Sequence, residues 1–143
     1  MARDKAKIDR HIVQWKHNRD LIGQLPASHP DWIVTVIFYT AVQAVDAVLA
    51  FEEVTAWNHD KRFKAIASLN RLSKLGRNYH TLYDLSRKVR YMADPNLWIP
   101  PNQIDKAVVR GLLLPLENSA ATVLGRDLTL PELDLTRLSA APS

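Results

Sequence analysis

The stretch DWIVTVIFYTAVQAVDAVLAF, from Asp31 to Phe51, decides how the rest of the chain is read. Past its first residue it is almost wholly apolar, yet Gln43 and Asp46 lie inside it. About twenty apolar residues meet the length criterion for a membrane span. Three features favour a core helix instead. A carboxylate at the depth of Asp46 is expensive in lipid. The apolar residues are mixed with Ala and β-branched types rather than dominated by Leu. The flanking segments are amphipathic and need a surface to pack on. A helix that is hydrophobic nearly all round is also what the centre of a helical bundle looks like.

Outward from this helix the pattern stays helical. Asp4 to Leu25 reads as a first helix whose buried stripe is Ile8, Ile12, Trp15 and Ile22. PASHPD, Pro26 to Asp31, breaks it, because proline cannot donate the bond that a helix interior needs. Asp31 suits the N-cap of the second helix, Trp32 to Phe51. NHDKR opens a third helix reaching Leu75, and GRN, Gly76 to Asn78, reads as a break. A fourth helix spans Tyr79 to Met92. The proline-rich ADPNLWIPPN connects it to a last helix, Gln103 to Leu124.

Pro115 lies inside that last helix and its ring crowds the carbonyl of Gly111, which predicts a kink or a split. The expected fold is all-α, an up-and-down four-helix bundle, with five helices if the last is split at Pro115. Residues 1–125 form the domain. Residues 126–143, RDLTLPELDLTRLSAAPS, form a tail that is either an extended strap or disordered.

The chain has 143 residues, no cysteine and a formal charge of +4. Without cysteine there are no disulfides, thiolate metal sites or Cys nucleophile. The charged start MARDKAKIDRH carries no apolar signal core, so the expected location is cytoplasmic, with no membrane association. Charge is concentrated between Asp60 and Asp94, where nine Lys or Arg face three Asp, a net +6 that exceeds the whole chain. Such an excess suits a polyanion or a solvated helix face.

Two polar stripes qualify the apolar pattern. Thr35, Tyr39, Gln43 and Asp46 fall at i, i+4, i+8 and i+11, within an arc of roughly 80° on one helix. Tyr79, Tyr83, Arg87 and Arg90 repeat the spacing on the fourth helix. A buried Asp46 needs a partner, and Arg87 or Arg90 is the expected one. The stripes then either face each other or line a cleft, and the same residues also suit a satisfied polar network that fixes helix register.

The runs DWIVTVIFYTAVQAVDAVLA, NHDKRFKAI and YHTLYDLSRKVRYMAD, in that order, resemble the HEPN superfamily, as does HNRDLI from His17 to Ile22. The fourth-helix pattern of Tyr79 or Tyr83, Leu82, Arg87 and Tyr91 carries most of the resemblance, which covers about Ile8 to Leu124. It implies an up-and-down four-helix bundle, often a homodimer, that binds a nucleotide or RNA. Many such proteins are metal-independent ribonucleases, including toxins paired with a nucleotidyltransferase-like antitoxin. Those ribonucleases use an Arg-x4–6-His pair late in the bundle. Here the only match is Arg10 with His17, on the first helix, which favours a non-catalytic binding branch.

The expected ligand-binding residues are Tyr39, Gln43, Asp46, His59, Arg62, Tyr83, Arg87, Arg90 and Tyr91. Arginines would hold phosphates and tyrosines would stack on bases. If the protein is a ribonuclease, His59 and His80 are the candidates for acid-base work. A dimerisation or partner-docking module is the third reading. The five histidines fall in no metal-binding spacing, and no glycine-rich phosphate loop is present, so no metal or cofactor is expected.

Overall fold

The structure is a computed structural model that describes residues 3–126 and 128–139, and every regular element among them is helical. In chain order these are α1 (Lys5–Ile22), α2 (Pro30–Phe51), α3 (His59–Ala67), a 3-10 turn (Asn70–Leu72), α4 (Ser73–Tyr91) and a second 3-10 turn (Pro95–Leu97). A helical run follows, made of α5 (Pro101–Gln103), a π-helical segment (Ile104–Leu113) and α6 (Leu114–Leu124). A short α7 (Thr136–Ser139) ends the described chain.

The opening stretch forms the centre. α2 packs against α1, α4, α6 and the π segment. Ile33, Val34, Ile37, Ala41, Ala44, Val45, Ala47 and Val48 are all fully enclosed. By length and composition two helical stretches could cross a membrane, Pro30–Phe51 and Pro95–Leu124, and in the first 78% of the apolar window is buried inside the fold. Its start differs from expectation by one step. Pro30 occupies the first turn and His29 the cap position, so Asp31 is not the N-cap. Proline is favoured there because its missing N–H has no intrahelical partner to lose, and Asp31 places its charge near the positive end of the helix. Thr35 and Thr40, buried within the helix, donate back to the carbonyls of Asp31 and Val36.

α1 and α3 start on conventional caps, with Asp4 accepting from the Lys7 amide and Asn58 from the Lys61 amide. The expected third helix to Leu75 is shorter. α3 ends at Ala67, and α4 begins at Ser73 and runs through GRN without a break. Gly76 is buried in α4, and a Cβ there would sit 2.8 Å from Ile66 Cγ2 of α3. The glycine serves close approach of two helices rather than a turn.

The last helical run is continuous from Pro101 to Leu124, and next to Pro115 its bonding changes from π to α. Leu114 donates to the carbonyl of Val109, five residues back, and α-helical bonding resumes from there with Pro115 in its first turn. The wider register sets residues five apart over one another. Arg110 accordingly reaches Asp105, which is buried, at 2.8 Å. Gly125, at φ 65°, ends α6 in the left-handed conformation that glycine adopts without strain.

Residues 128–139 return along the fold rather than leaving it. Leu128, Leu130 and Leu133 pack on the core and Leu135 and Leu138 enter it. The guanidinium of Arg137 donates to the carbonyls of Ile22 and Leu25, at the end of α1, and Arg19 donates to the carbonyl of Pro131. This segment is an extended strap with one short helix.

Candidate functional site

α3 lies across α4 because Gly76 admits Ile66, and this seats His59 and Arg62 against the tyrosines of α4. His59 and Tyr83 stack with centroids 3.4 Å apart and planes 8° from parallel. Phe63 and His80 extend the stack, with Phe63 4.8 Å from His80 and the two imidazoles 5.7 Å apart. Phe38 of α2 packs beneath Tyr79 and Tyr83.

A polar chain enters this aromatic cluster from α2. Arg62 donates to both carboxylate oxygens of Asp46, Nε to Oδ1 at 2.8 Å and Nη2 to Oδ2 at 3.2 Å. The two side chains are 16% and 12% exposed, so the pair is largely removed from water. Burial works against the Arg62 charge, but the Asp46 carboxylate more than offsets it, and the guanidinium is held more firmly protonated than usual. The Arg62 charge also acts on the Tyr79 phenol, opposing the effect of burial on that group. Tyr79 is fully buried, and burial pushes its phenol up to about 12.

The Tyr79 oxygen lies 3.1 Å from His59 Nδ1. At that distance the phenol and the imidazole share one hydrogen bond, Tyr79 donating where Nδ1 is unprotonated and Nδ1–H donating in the other tautomer. Burial, and next the neighbouring His80, lower the His59 pKa, which agrees with a neutral ring. His80 has its Nε2 3.5 Å from Asp84, while its Nδ1 is buried without a partner.

The expected residues therefore separate into groups. Asp46, His59, Arg62 and Tyr83 come together, and His80 joins them. Tyr39, Arg90 and Tyr91 form a second cluster at the far end of α4. There Arg90 donates to the Tyr39 hydroxyl at 3.1 Å, and its guanidinium lies 4.9 Å from the Tyr91 ring centre. Phe38 touches both clusters, lying 5.5 Å from Tyr39 and 5.8 Å from Tyr83. Gln43 faces α1, where it bonds to His11 at 2.8 Å. Arg87 is exposed and makes no ion pair among the described residues.

The expected pairing of Asp46 with Arg87 or Arg90 is thus incorrect. The partner is Arg62, because α3 rather than α4 covers that end of α2's polar stripe. Tyr79 and Phe63 were missed as members of the site. Tyr79 is signalled by its place in the α4 stripe, and Phe63 by its position four residues after His59.

A second polar interior group had no counterpart in the sequence reading. Glu117 of α6, 1% exposed, accepts from Arg19 Nε at 3.0 Å and from the Trp15 indole at 2.7 Å. Burial pushes its carboxyl pKa up against the pull of those two donors. Among the described residues no group of three or more His, Cys, Asp or Glu is placed to hold a metal ion. Comparison with protein-family models, with curated proteins and with solved structures returns no match.

Proposed function

We propose that the chain is a HEPN-like helical domain, an up-and-down bundle that binds a nucleotide or RNA on the face formed by α3 and α4 without catalysing a reaction. The observation that carries this reading is the His59–Tyr83 stack beside Arg62. Around it the surface combines charge and exposed rings. Lys61, Lys64, Arg87 and Lys88 are exposed, Lys61 sits 5.3 Å from the centre of the exposed Trp57 ring, and Tyr39 and Tyr91 are exposed at the far end of α4. Cations that track a phosphate backbone, interleaved with aromatic rings, are what single-stranded nucleic acid requires.

Titration of the protein with nucleotides and short single-stranded RNA at low and high salt tests this. Binding should be strongest at low salt and weaken steadily as salt rises, because phosphate contacts release counterions. An Arg87→Gln, Lys88→Gln double variant should lower the salt slope and leave the fold unchanged. No binding at low salt would remove the reading.

One observation favours a second reading, a metal-independent ribonuclease. His59 and His80 are close, and their surroundings differ, since burial favours neutral His59 while His80 lies beside the Asp84 carboxylate. Such a pair divides base and acid roles. RNA cleavage that survives a chelator and disappears in both His59→Ala and His80→Ala would establish it.

A further inference from the structure

A cleft of ≈ 530 Å³ lies between α1 and the returning strap, away from the aromatic cluster. Its volume falls within the range of small-molecule sites. One wall is a single face of α1, since Lys16, Arg19, Asp20 and Gly23 are spaced i, i+3, i+4 and i+7. The other is the strap, including Pro131, Glu132 and Leu133.

The strap is held in place from both ends of this wall. Arg19 donates to the Pro131 carbonyl, Arg137 donates to the end of α1, and Leu135 and Leu138 are anchored in the core. Arg19 is itself fixed by Glu117 and is only 6% exposed. The cleft is therefore shaped before any ligand arrives, which lowers the ordering cost of binding.

The charges around it are of both signs. Glu117 neutralises Arg19, which leaves Lys16 as the unneutralised cation of the cleft among the described residues. Three carboxylates line the cleft: Asp134 is engaged by the amide and hydroxyl of Thr136, while Asp20, which accepts from Gln24 through one oxygen, and Glu132 face the cleft from opposite walls, and Pro131 and Leu133 supply apolar surface. A singly charged ligand would leave one sign of this set without a partner. We propose that the cleft binds a small zwitterion of the free amino-acid class, its carboxylate toward Lys16, its ammonium toward Asp20 and Glu132, and its apolar side chain against Pro131 and Leu133. This site is separate from the α3–α4 face, and its occupancy does not depend on nucleic-acid binding.

The test is an NMR titration of the whole chain with three probes: free L-leucine, N-acetyl-L-leucine and L-leucinamide. The Gln24 side-chain amide and the Leu133 methyl groups are the reporters. L-Leucine should give saturable shifts with Kd on the order of 1 mM or below, and each singly charged analogue should bind at least about tenfold more weakly. Lys16→Gln and Glu132→Gln should each weaken L-leucine binding about tenfold. Both are exposed positions, so melting temperature should not move. No saturable shift up to ~10 mM, equal affinity for all three probes, or binding untouched by both substitutions would overturn the assignment. RNA titrated in parallel reports the other face independently.

Discussion

Among the described residues two ion pairs cross the interior, Arg19–Glu117 and Asp46–Arg62, and they share their chemistry but not their surroundings. Arg19–Glu117 joins α1 to α6, and its side chains are 7% and 1% exposed. Its third partner, Trp15, is itself fully buried, and the group ends there apart from the bond from Arg19 to the strap. Asp46–Arg62 joins α2 to α3 beside Tyr79, whose hydroxyl is hydrogen-bonded to His59, and the His59 ring is stacked on Tyr83. The first pair closes on itself and fixes where helices and strap sit. The second passes from the core to a face that carries charge and exposed rings. An ion pair's role thus depends on where its hydrogen-bond chain ends rather than on the length of its shortest bond.

The comparison predicts unequal responses to removal of one partner. Glu117→Ala leaves the Arg19 charge buried and unpaired, which should cost about 3–5 kcal/mol in urea unfolding. The double variant Arg19→Met, Glu117→Leu should recover most of that loss, since well-packed apolar replacements of a buried pair are often neutral or better. If Glu117→Ala unfolds no more easily than the native chain, Arg19 has access to water and the closed description of this group fails.

Asp46→Ala should be the milder change. The Arg62 side chain is 16% exposed and keeps some contact with water, so the loss should be about 1–3 kcal/mol. The second measurement on the same variant sharpens the contrast. RNA or nucleotide affinity should fall with Asp46→Ala, because Arg62 and the ring of His59 lose their positioning, and should be unchanged in the Arg19–Glu117 double variant. Equal loss of affinity in both would mean that affinity simply follows stability.

The two groups also differ in how far the sequence disclosed them. Asp46 stood out because it interrupts an apolar run, and the angular stripe it shares with Tyr39 and Gln43 was correctly read as a face of one helix. The stripe carries no information on which neighbour covers each part of it, so Gln43 turned out to face α1, Asp46 α3, and Tyr39 the end of α4. Arg62 was named for the site but not as the partner, since on a short charged helix it resembles Lys61 and Lys64. Arg19 and Glu117 were not named at all. Arg19 lies among polar neighbours in KHNRD and Glu117 follows two leucines and a proline in LPLEN, and contact between positions 98 apart has no local signature. Gly76 misled for a related reason. A glycine beside Arg and Asn reads as a turn, whereas the close approach of Ile66 that requires it is visible only in three dimensions.

The smallest expected effect belongs to the exposed end of the open chain, and it is a pH dependence. His59 titrates below the ordinary imidazole value of 6.5, chiefly because burial disfavours the charged ring. The unfolded chain then binds more protons than the folded one between the depressed pKa and 6.5. Stability attributable to His59 is therefore intact above pH 6.5, falls as pH drops through that window, and levels off once the folded ring is also protonated. Imidazole resonances followed by NMR give the pKa directly, and urea unfolding at several pH values gives the linked stability. Burial is the main cause, so Tyr79→Phe, which removes only the hydroxyl bonded to Nδ1, should leave the His59 pKa below 6.5. The Arg19–Glu117 double variant should leave it in place, because that group shares no hydrogen bond with His59. A native His59 pKa at or above 6.5 would show that the fold does not disfavour the charged ring, and burial would then not govern its titration.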